Sequence, residues 1–427
     1  PIWARIMEIS TMPSDPFFTL KPDEKNQMQL ERLQSTLNRA YKHVPFHANR
    51  FDATGIEPAD IATLADLERL PFMERADFSQ HYPYDLFAVP LRDIVRIHTA
   101  PGTTRNPTVS GYTTQDLEQW KNILARAMKA AGATPTDILQ IALNPGLANW
   151  GRDYKDGAES MGASVIPNTQ LSVEKHLMVL RDYKTTVLVT TPAMAGHLAD
   201  YMAETGLGPA SLSLHTLILC GESADADFRK NIEDRMHVRT WTHYGLSEVP
   251  GPAIGFECNV HRGLHINEDH FLPEIVDPDT GVPLQEESEG ELVLTTLTTR
   301  AFPLIRFKTG DRARLLKDAC PCGSTLVRMQ WNAGRTDDIM NIDGVNVHSR
   351  QVLFHLENMM SLTKDPVSLQ VAHSEGRKLL EVFIPMNNEI FSDEIKELEK
   401  LLRRCEGRLR ENLGVPVQIR LVESASI

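Results

Sequence analysis

Basic residues are in short supply. There are 44 Lys and Arg against 57 Asp and Glu, a net charge of −13. That balance disfavours a general nucleic-acid or acidic-membrane surface, while leaving room for a local basic pocket around an anion. Cysteine is scarce too: five residues in 427, at 220, 258, 320, 322 and 405. An odd, scattered set argues against a secreted disulfide scaffold. No run approaches the roughly 20 apolar residues of a membrane span. The opening "PIWARIMEISTMPSDPFFTL" lacks the apolar stretch after a basic start that marks a signal peptide. These absences set the expectation of a cytoplasmic protein without nucleic-acid or membrane partners. The chain starts at Pro1 rather than methionine, so incomplete ends are expected.

What is present is an ordinary globular composition, 41% hydrophobic and 24% charged, with length for two or three domains. Leu30, Leu33, Leu37, Tyr41 and Val44 recur at helical spacing, which predicts an amphipathic helix over 23–44 that Pro45 stops. Leu117, Trp120, Leu124, Met128 and Ala131 predict another over 115–131, with Thr113 or Thr114 as its N-cap. Five short apolar runs follow, at 138–143, 163–167, 185–192, 216–223 and 238–245. Separated by helix-length segments, they read as parallel strands with crossover helices. Near residue 260 the style changes. "FLPEIVDPDTGVPL" and "GELVLTTLT" read as a hairpin. After "GRTDD" the order is helix 349–359, strand 367–372, strand 379–384, helix 391–412, strand 417–422. The expected fold is α/β. A large N-terminal domain (1–335) has mostly parallel sheets and a β-rich subdomain, and a small α+β lid domain (336–427) follows.

Four stretches carry candidate chemistry. "HTAPGTTRNPTVSGYT" offers Gly102, Thr103 and Thr104, whose backbone N–H groups and hydroxyls can cradle a polyphosphate. It fails the Walker pattern, and taken locally it reads as a turn before a helix. "WTHYGLSEVPGP" gathers Tyr244, Gly245, Ser247 and Glu248 after a predicted strand. A carboxylate there can hold Mg²⁺ against a phosphate and the tyrosine can pack on a purine, or the stretch is a glycine turn with an exposed acid. "IRFKTGDRARL" puts Asp311 at a strand end, suited to paired ribose hydroxyls or to a plain β-turn. "GRTDDIMNIDGVNV" holds Arg335, a fork donor, beside two acids at the change of fold style, either a hinge or a solvated loop.

Taken in this order, the four stretches resemble the adenylate-forming enzyme superfamily, in its phenylacetate–coenzyme A ligase-like branch. The resemblance runs from "LNRAYKHVPFHANRFDATGIEPADIATLADLERLPFMERADF" through "YGLSEVPGP" and "LIRFKTGDRARLL" to "GRTDDIMNIDGVNVHSRQV". It implies that Gly102, Thr103 and Thr104 hold the ATP phosphates, and that Gly221 and Glu222 of "CGES" line the adenine. It further implies that Tyr244 packs against adenine beside Gly245 and Ser247, that Glu248 takes Mg²⁺, and that Asp311 and Arg335 meet the ribose. Asp337 matches the hinge between two half-reactions. Thr103, Arg105 and Glu248 are the implied catalytic groups. The phosphate loop departs from the family form: Asn106 stands where a lysine is usual, Arg105 supplies a cation one residue earlier, and Pro101 removes an N–H donor. The family carries an adenylating lysine near its C-terminus, and "VQIRLVESASI" stands where that stretch should begin, so either the lysine lies beyond Ile427 or it is absent and adenylation is slow.

Cys258, Cys320 and Cys322 with one histidine make a chemically sensible closed tetrahedral zinc site, and some members of this branch carry one here. His265 is taken as the fourth ligand, with His261 its rival. The stretch "ALNPGLANWGRDYKDGAESMGASVIPN" resembles the acyl pocket, where Leu147 and Trp150 can floor an aromatic ring. Trp150 reads equally well as core. The resemblance implies ATP-dependent activation of an aryl or arylacetic carboxylic acid, with coenzyme A as acceptor, Mg²⁺, a structural zinc and a homodimeric assembly. An amine or carrier-protein acceptor, or a non-catalytic nucleotide-binding homologue, are the competing readings.

Overall fold

The computed structural model describes residues 16–422, apart from 101–105, 144–147, 170, 250, 286, 338, 344, 358, 360–366, 375–376 and 386–394. The chain opens with α1 (Pro22–His43), α2 (Pro45–Thr54) and α3 (Arg75–Gln80). A hairpin, β1 (Arg96–Ala100) and β2 (Thr108–Tyr112), brackets the phosphate-loop stretch, with Ala100 opposite Thr108. Helix α4 (Thr114–Ala130) starts on Thr113, whose Oγ1 accepts the Asp116 N–H at 3.2 Å while Asp116 Oδ2 accepts the Thr113 N–H at 2.8 Å. This reciprocal cap is what the hydroxyl-rich run before the helix provides.

Strands and helices then alternate: β3 (Ile138–Ala142), α5 (Ala148–Ser160), β4 (Ser164–Ile166), α6 (Val173–Asp182), β5 (Val187–Thr190), α7 (Pro192–Thr205), β6 (Thr216–Cys220), α8 (Ala226–Met236) and β7 (Arg239–Tyr244). Each of the five apolar runs is a strand, and β4, β3, β5, β6 and β7 pair in parallel in that spatial order. Successive residues face opposite layers. Val187, Val189 and Ile218 join the core under α4 and α5, whereas Leu188, Leu217 and Leu219 pack on α6, α7 and α8. Both faces are therefore covered, which is why these runs are continuously apolar.

The β-rich part is not a separate sheet. Strands β8 (Gly255–Phe256), β9 (Leu264–Ile266), β10 (Phe271–Val276), β11 (Gly290–Thr296), β12 (Phe307–Leu316) and β13 (Arg328–Arg335) extend the same one. The order from β7 outward is β8, β9, β13, β12, β11, β10, all antiparallel, so the whole is one mixed sheet of eleven strands. The expected hairpin is β10–β11.

A second core starts at Ile342. It is built by β14 (Ile339–Ile342), β15 (Val345–His348), α9 (Ser349–Glu357), β16 (Ser368–Ser374), β17 (Arg377–Pro385), α10 (Ile395–Leu413) and β18 (Val417–Val422). In the "GRTDDIMNIDGVNV" stretch, Arg335 ends β13, and β14 and β15 pair antiparallel. No helix of the described residues is long and apolar enough to cross a membrane.

Candidate active site

Strand register sets the first contact. On neighbouring antiparallel strands, Asp311 of β12 lies opposite Arg335 of β13. Their side chains pair, Arg335 Nη1 donating to Asp311 Oδ1. Tyr244, at the end of β7, donates its hydroxyl to Asp311 Oδ2 at 2.7 Å. Both carboxylate oxygens are thus fixed in place, each with a lone pair to spare. Arg335 reaches further: Nε donates to Asp337 Oδ1 at 2.7 Å and Nη2 to Asp337 Oδ2 at 2.8 Å. Burial works against the Arg335 charge, but Asp311 and Asp337 outweigh it and hold the guanidinium above its ordinary pKa. Burial likewise opposes ionisation of Asp337, and Arg335 reverses that, keeping the carboxyl below the usual range. Tyr244 is fully buried, edge-on to Trp331 at 4.9 Å.

Gly245 and Ser247 follow Tyr244, and Glu248 is 4% exposed. Its carboxylate pairs with Arg75 Nη1, from the first position of α3. Arg75 also donates Nη2 to the Thr309 carbonyl at 2.8 Å, and its Nε lies 3.7 Å from Asp337 Oδ2. Burial, then the Arg335 charge, lowers the Arg75 guanidinium to about 10. Sequence patterning did not single out Arg75. It sits 173 residues before Glu248, in a short helix whose sequence looks unremarkable.

At the end of β6, Glu222 accepts the Ala193 N–H at 3.2 Å with one oxygen and pairs with Lys378 of β17 through the other. Asn341 of β14 donates to the Gly221 carbonyl at 3.1 Å. The C-terminal unit therefore rests on the two residues expected to line the adenine. Neither Lys378 nor Asn341 was legible, because each belongs to a strand pattern with no local chemical signature.

Gly102, Thr103, Thr104, Arg105 and Pro101 lie outside the described residues, as does Leu147. Asn106 is placed: its Nδ2 donates to the Ser79 carbonyl of α3 at 3.3 Å, tying the end of the loop to that helix. Trp150 is 5% exposed and lines a small, partly open cleft with His98, Asn149, Ser247, Val249 and Gly251.

The metal-ligand set converges. Cys258, His265, Cys320 and Cys322 place their donor atoms within 4.8 Å of one another. Cys258 Sγ lies 3.8 Å from Cys320 Sγ, and Cys322 Sγ lies 3.4 Å from His265 Nε2. His261 is elsewhere, its Nδ1 3.3 Å from the Glu257 carboxylate and 3.2 Å from Arg229 Nη2.

No family model matches the chain. Curated proteins do. The chain is 38% identical over 416 residues to the phenylacetate–coenzyme A ligase of Thermus thermophilus, covering 95% of this chain and 94% of that one. It is 36% identical over 415 residues to the Escherichia coli K12 phenylacetate–coenzyme A ligase, covering 97% and 94%.

The chain belongs to the phenylacetate–coenzyme A ligase family.

It is accordingly an AMP-forming acid–thiol ligase. Among solved structures, 2-hydroxyisobutyryl-CoA ligase with 2-HIB-AMP and CoA in the thioesterification state superimposes with a TM-score of 0.88, at 25% identity over 96% of this chain and 88% of that one. The same protein in the postadenylation state with R3-HIB-AMP gives 0.72, at 25% identity over 97% and 90%. Identity and coverage hardly change between the two, so the difference lies in arrangement. The arrangement of this phenylacetate–coenzyme A ligase family member is the nearer to the thioesterification state.

Proposed function

We propose that this chain adenylates an aryl or arylacetic carboxylic acid with ATP and passes the acyl group to coenzyme A. The observation that carries the reading is the Tyr244–Asp311–Arg335–Asp337 network, with Tyr244 and Asp311 buried, in a member of an acid–thiol ligase family. In the first half-reaction a carboxylate oxygen attacks the α-phosphorus and pyrophosphate leaves. The acid, a poor electrophile, becomes a mixed anhydride with AMP as a good leaving group. In the second, the thiol attacks the acyl carbon and AMP departs.

Asp311 is assigned the ribose hydroxyls through the lone pairs that Tyr244 and Arg335 leave open, with Arg335 alongside. Gly221 and Glu222 are assigned the adenine. Gly102, Thr103, Thr104 and Arg105 are assigned the phosphates, and Leu147 and Trp150 the acyl group. Glu248, a buried hard-oxygen donor, is the residue that would hold Mg²⁺, which when bound offsets charge gathering on pyrophosphate. Arg75 positions that carboxylate and links it to Asp337. Asp337 is the assigned hinge between an adenylation domain (1–335) and a lid (336–427). The Lys378–Glu222 and Asn341–Gly221 contacts hold the lid in the thioester-forming arrangement. Two reactions in one cleft require such a rearrangement.

The four clustered ligands fit a structural zinc. Around a tetrahedral ion with Zn–S of about 2.3 Å, sulfurs stand about 3.8 Å apart and sulfur and nitrogen about 3.6 Å. The observed 3.8 and 3.4 Å match that spacing. The ion would join the β8–β9 segment to the turn between β12 and β13.

Pyrophosphate release over a panel of aryl acids tests the reading. Acid-dependent release is expected, and none with any acid would remove the proposal. Omitting coenzyme A should stop the reaction at the adenylate. A stable amide or other product formed without it would replace the acceptor.

A further inference from the structure

Two cations compete for Glu248: Arg75, which pairs with it here, and Mg²⁺, which it is assigned to hold during adenylation. The carboxylate is 4% exposed, and among the described residues Arg75 is the cation paired with it. A buried carboxylate left without a counter-ion is strongly unfavourable. Mg²⁺ shared between a carboxylate and substrate phosphates departs with the pyrophosphate it is bound to. Glu248 would then be buried and unpaired for the second half-reaction, and the guanidinium beside it removes that difficulty. The pair is present in the arrangement nearer to the thioesterification state.

The setting of Arg75 suits exchange. The backbone at its root is fixed, since Met73 donates its N–H to the Arg306 carbonyl at 2.9 Å and accepts from the Lys308 N–H at 2.9 Å. The other end of α3 is tied through the Ser79 carbonyl to Asn106, in the stretch assigned to the phosphates. The guanidinium lies 5.6 Å from the Phe307 ring centroid, and its Nη2 donates to the Thr309 carbonyl at 2.8 Å. Nη1 meets Glu248. Nε makes no hydrogen bond among the described residues and lies 3.7 Å from Asp337 Oδ2. One guanidinium, anchored on a neutral carbonyl, thus has two carboxylates within reach. With a divalent cation on Glu248, like-charge repulsion in a buried site acts to push Arg75 off that carboxylate, and Asp337 is the acid next to it.

We propose that Arg75 is the counter-ion that alternates with Mg²⁺ on Glu248. It neutralises the carboxylate during thioester formation and yields it for adenylation by turning towards Asp337. The proposal rests on the assignment of Mg²⁺ to Glu248, and it makes Arg75 a positioning residue that acts through that carboxylate.

Two measurements test it. Binding of Mn²⁺ alone, followed by electron paramagnetic resonance, should tighten about tenfold or more in Arg75→Gln, because a hydrogen-bonded charged competitor is gone. Glu248→Gln in that background should abolish the gain. Arg75→Lys keeps the charge but lacks the fork that spans Glu248 and the Thr309 carbonyl, so it should fall between wild type and Arg75→Gln, and it tests the ordering if the Gln variant does not fold. In the second assay the adenylate of an acid that supports pyrophosphate release is supplied directly with coenzyme A. Thioester formation by the wild type should not depend on added Mg²⁺. Arg75→Gln should be slowed about tenfold without the metal and recover with it. Mn²⁺ affinity that neither Arg75 substitution changes, or a gain that survives Glu248→Gln, overturns the exchange. So does a slowing that Mg²⁺ fails to repair, which is what a purely structural ion pair would give. Those results leave acid activation standing, because pyrophosphate release is measured separately. Absence of release by the wild type with every acid removes the adenylating reading, and this proposal with it.

Discussion

At the residue scale the site rests on buried charge that is paired twice over. Asp311 takes hydrogen bonds from Tyr244 and Arg335 and sits 5% exposed. Asp311→Ala leaves the Arg335 guanidinium with Asp337 but empties the assigned ribose contact. Hydrogen bonds to a charged group are worth about 1.5–3 kcal/mol, so KM for ATP should rise by about 10- to 100-fold. Initial-rate kinetics at saturating acid measure this. Asp153 offers a pH signature. Its folded carboxyl titrates at about 8 against 3.8 when unfolded. Between those values only the unfolded chain has released the proton, so this group costs stability increasingly as pH rises. Asp153→Asn abolishes that dependence. Its stability relative to wild type should therefore grow between pH 5 and pH 7 by an order-of-magnitude 2–3 kcal/mol. Denaturant unfolding of both proteins at the two pH values reads it out, and a constant difference would contradict the buried, protonated state.

At the element scale, close approach and cross-linking decide what is possible. Gly310 has φ of +76°, and a methyl there would lie 2.6 Å from Arg335 Nη2 and collide with Asp337. Gly310→Ala should therefore cost about 2 kcal/mol or more, from the left-handed backbone and the displaced pair together. Thermal melting shows the first effect, and a rise in KM for ATP shows the second. The cysteine cluster ties elements that are far apart in the chain. Cys320→Ser should lower bound zinc, measured by elemental analysis, from one per chain to well below one. It should also cost stability, because binding of a structural metal is coupled to folding. A protein purified without metal, and melting the same with and without chelator, would dispose of the zinc.

At the scale of the whole molecule, the C-terminal unit touches the large one through Lys378 and Asn341, on the residues assigned to adenine. If these contacts hold the thioester-forming arrangement, Lys378→Ala should slow thioester formation more than pyrophosphate release. Glu222 is 6% exposed on its side chain and Lys378 30%, so the pair is partly shielded, and a differential of about three- to tenfold is expected. Single-turnover assays of the two half-reactions separate them. Equal slowing of both would remove the latch role.

Much of this was legible before any coordinates. The five apolar runs between residues 138 and 245 became parallel strands because both faces of that half-sheet are covered, and continuous burial writes itself into composition. Helices α1 and α4 followed from apolar spacing and a hydroxyl cap, and the order of the last five elements from local period alone. Cys258, Cys320, Cys322 and a histidine were readable because soft donors are rare and chemically distinctive, and the structure brings in His265 rather than His261. Local patterning could not say that the β-rich strands join the parallel ones in a single sheet. Nor could it find Arg75 against Glu248, Lys378 against Glu222, or Asp153 beneath Gly251. Period and composition report how a residue meets its own element and solvent. An ion pair across 173 residues, or an oxygen lodged where a side chain is missing, depends on how elements pack, and that is decided only when the chain closes on itself.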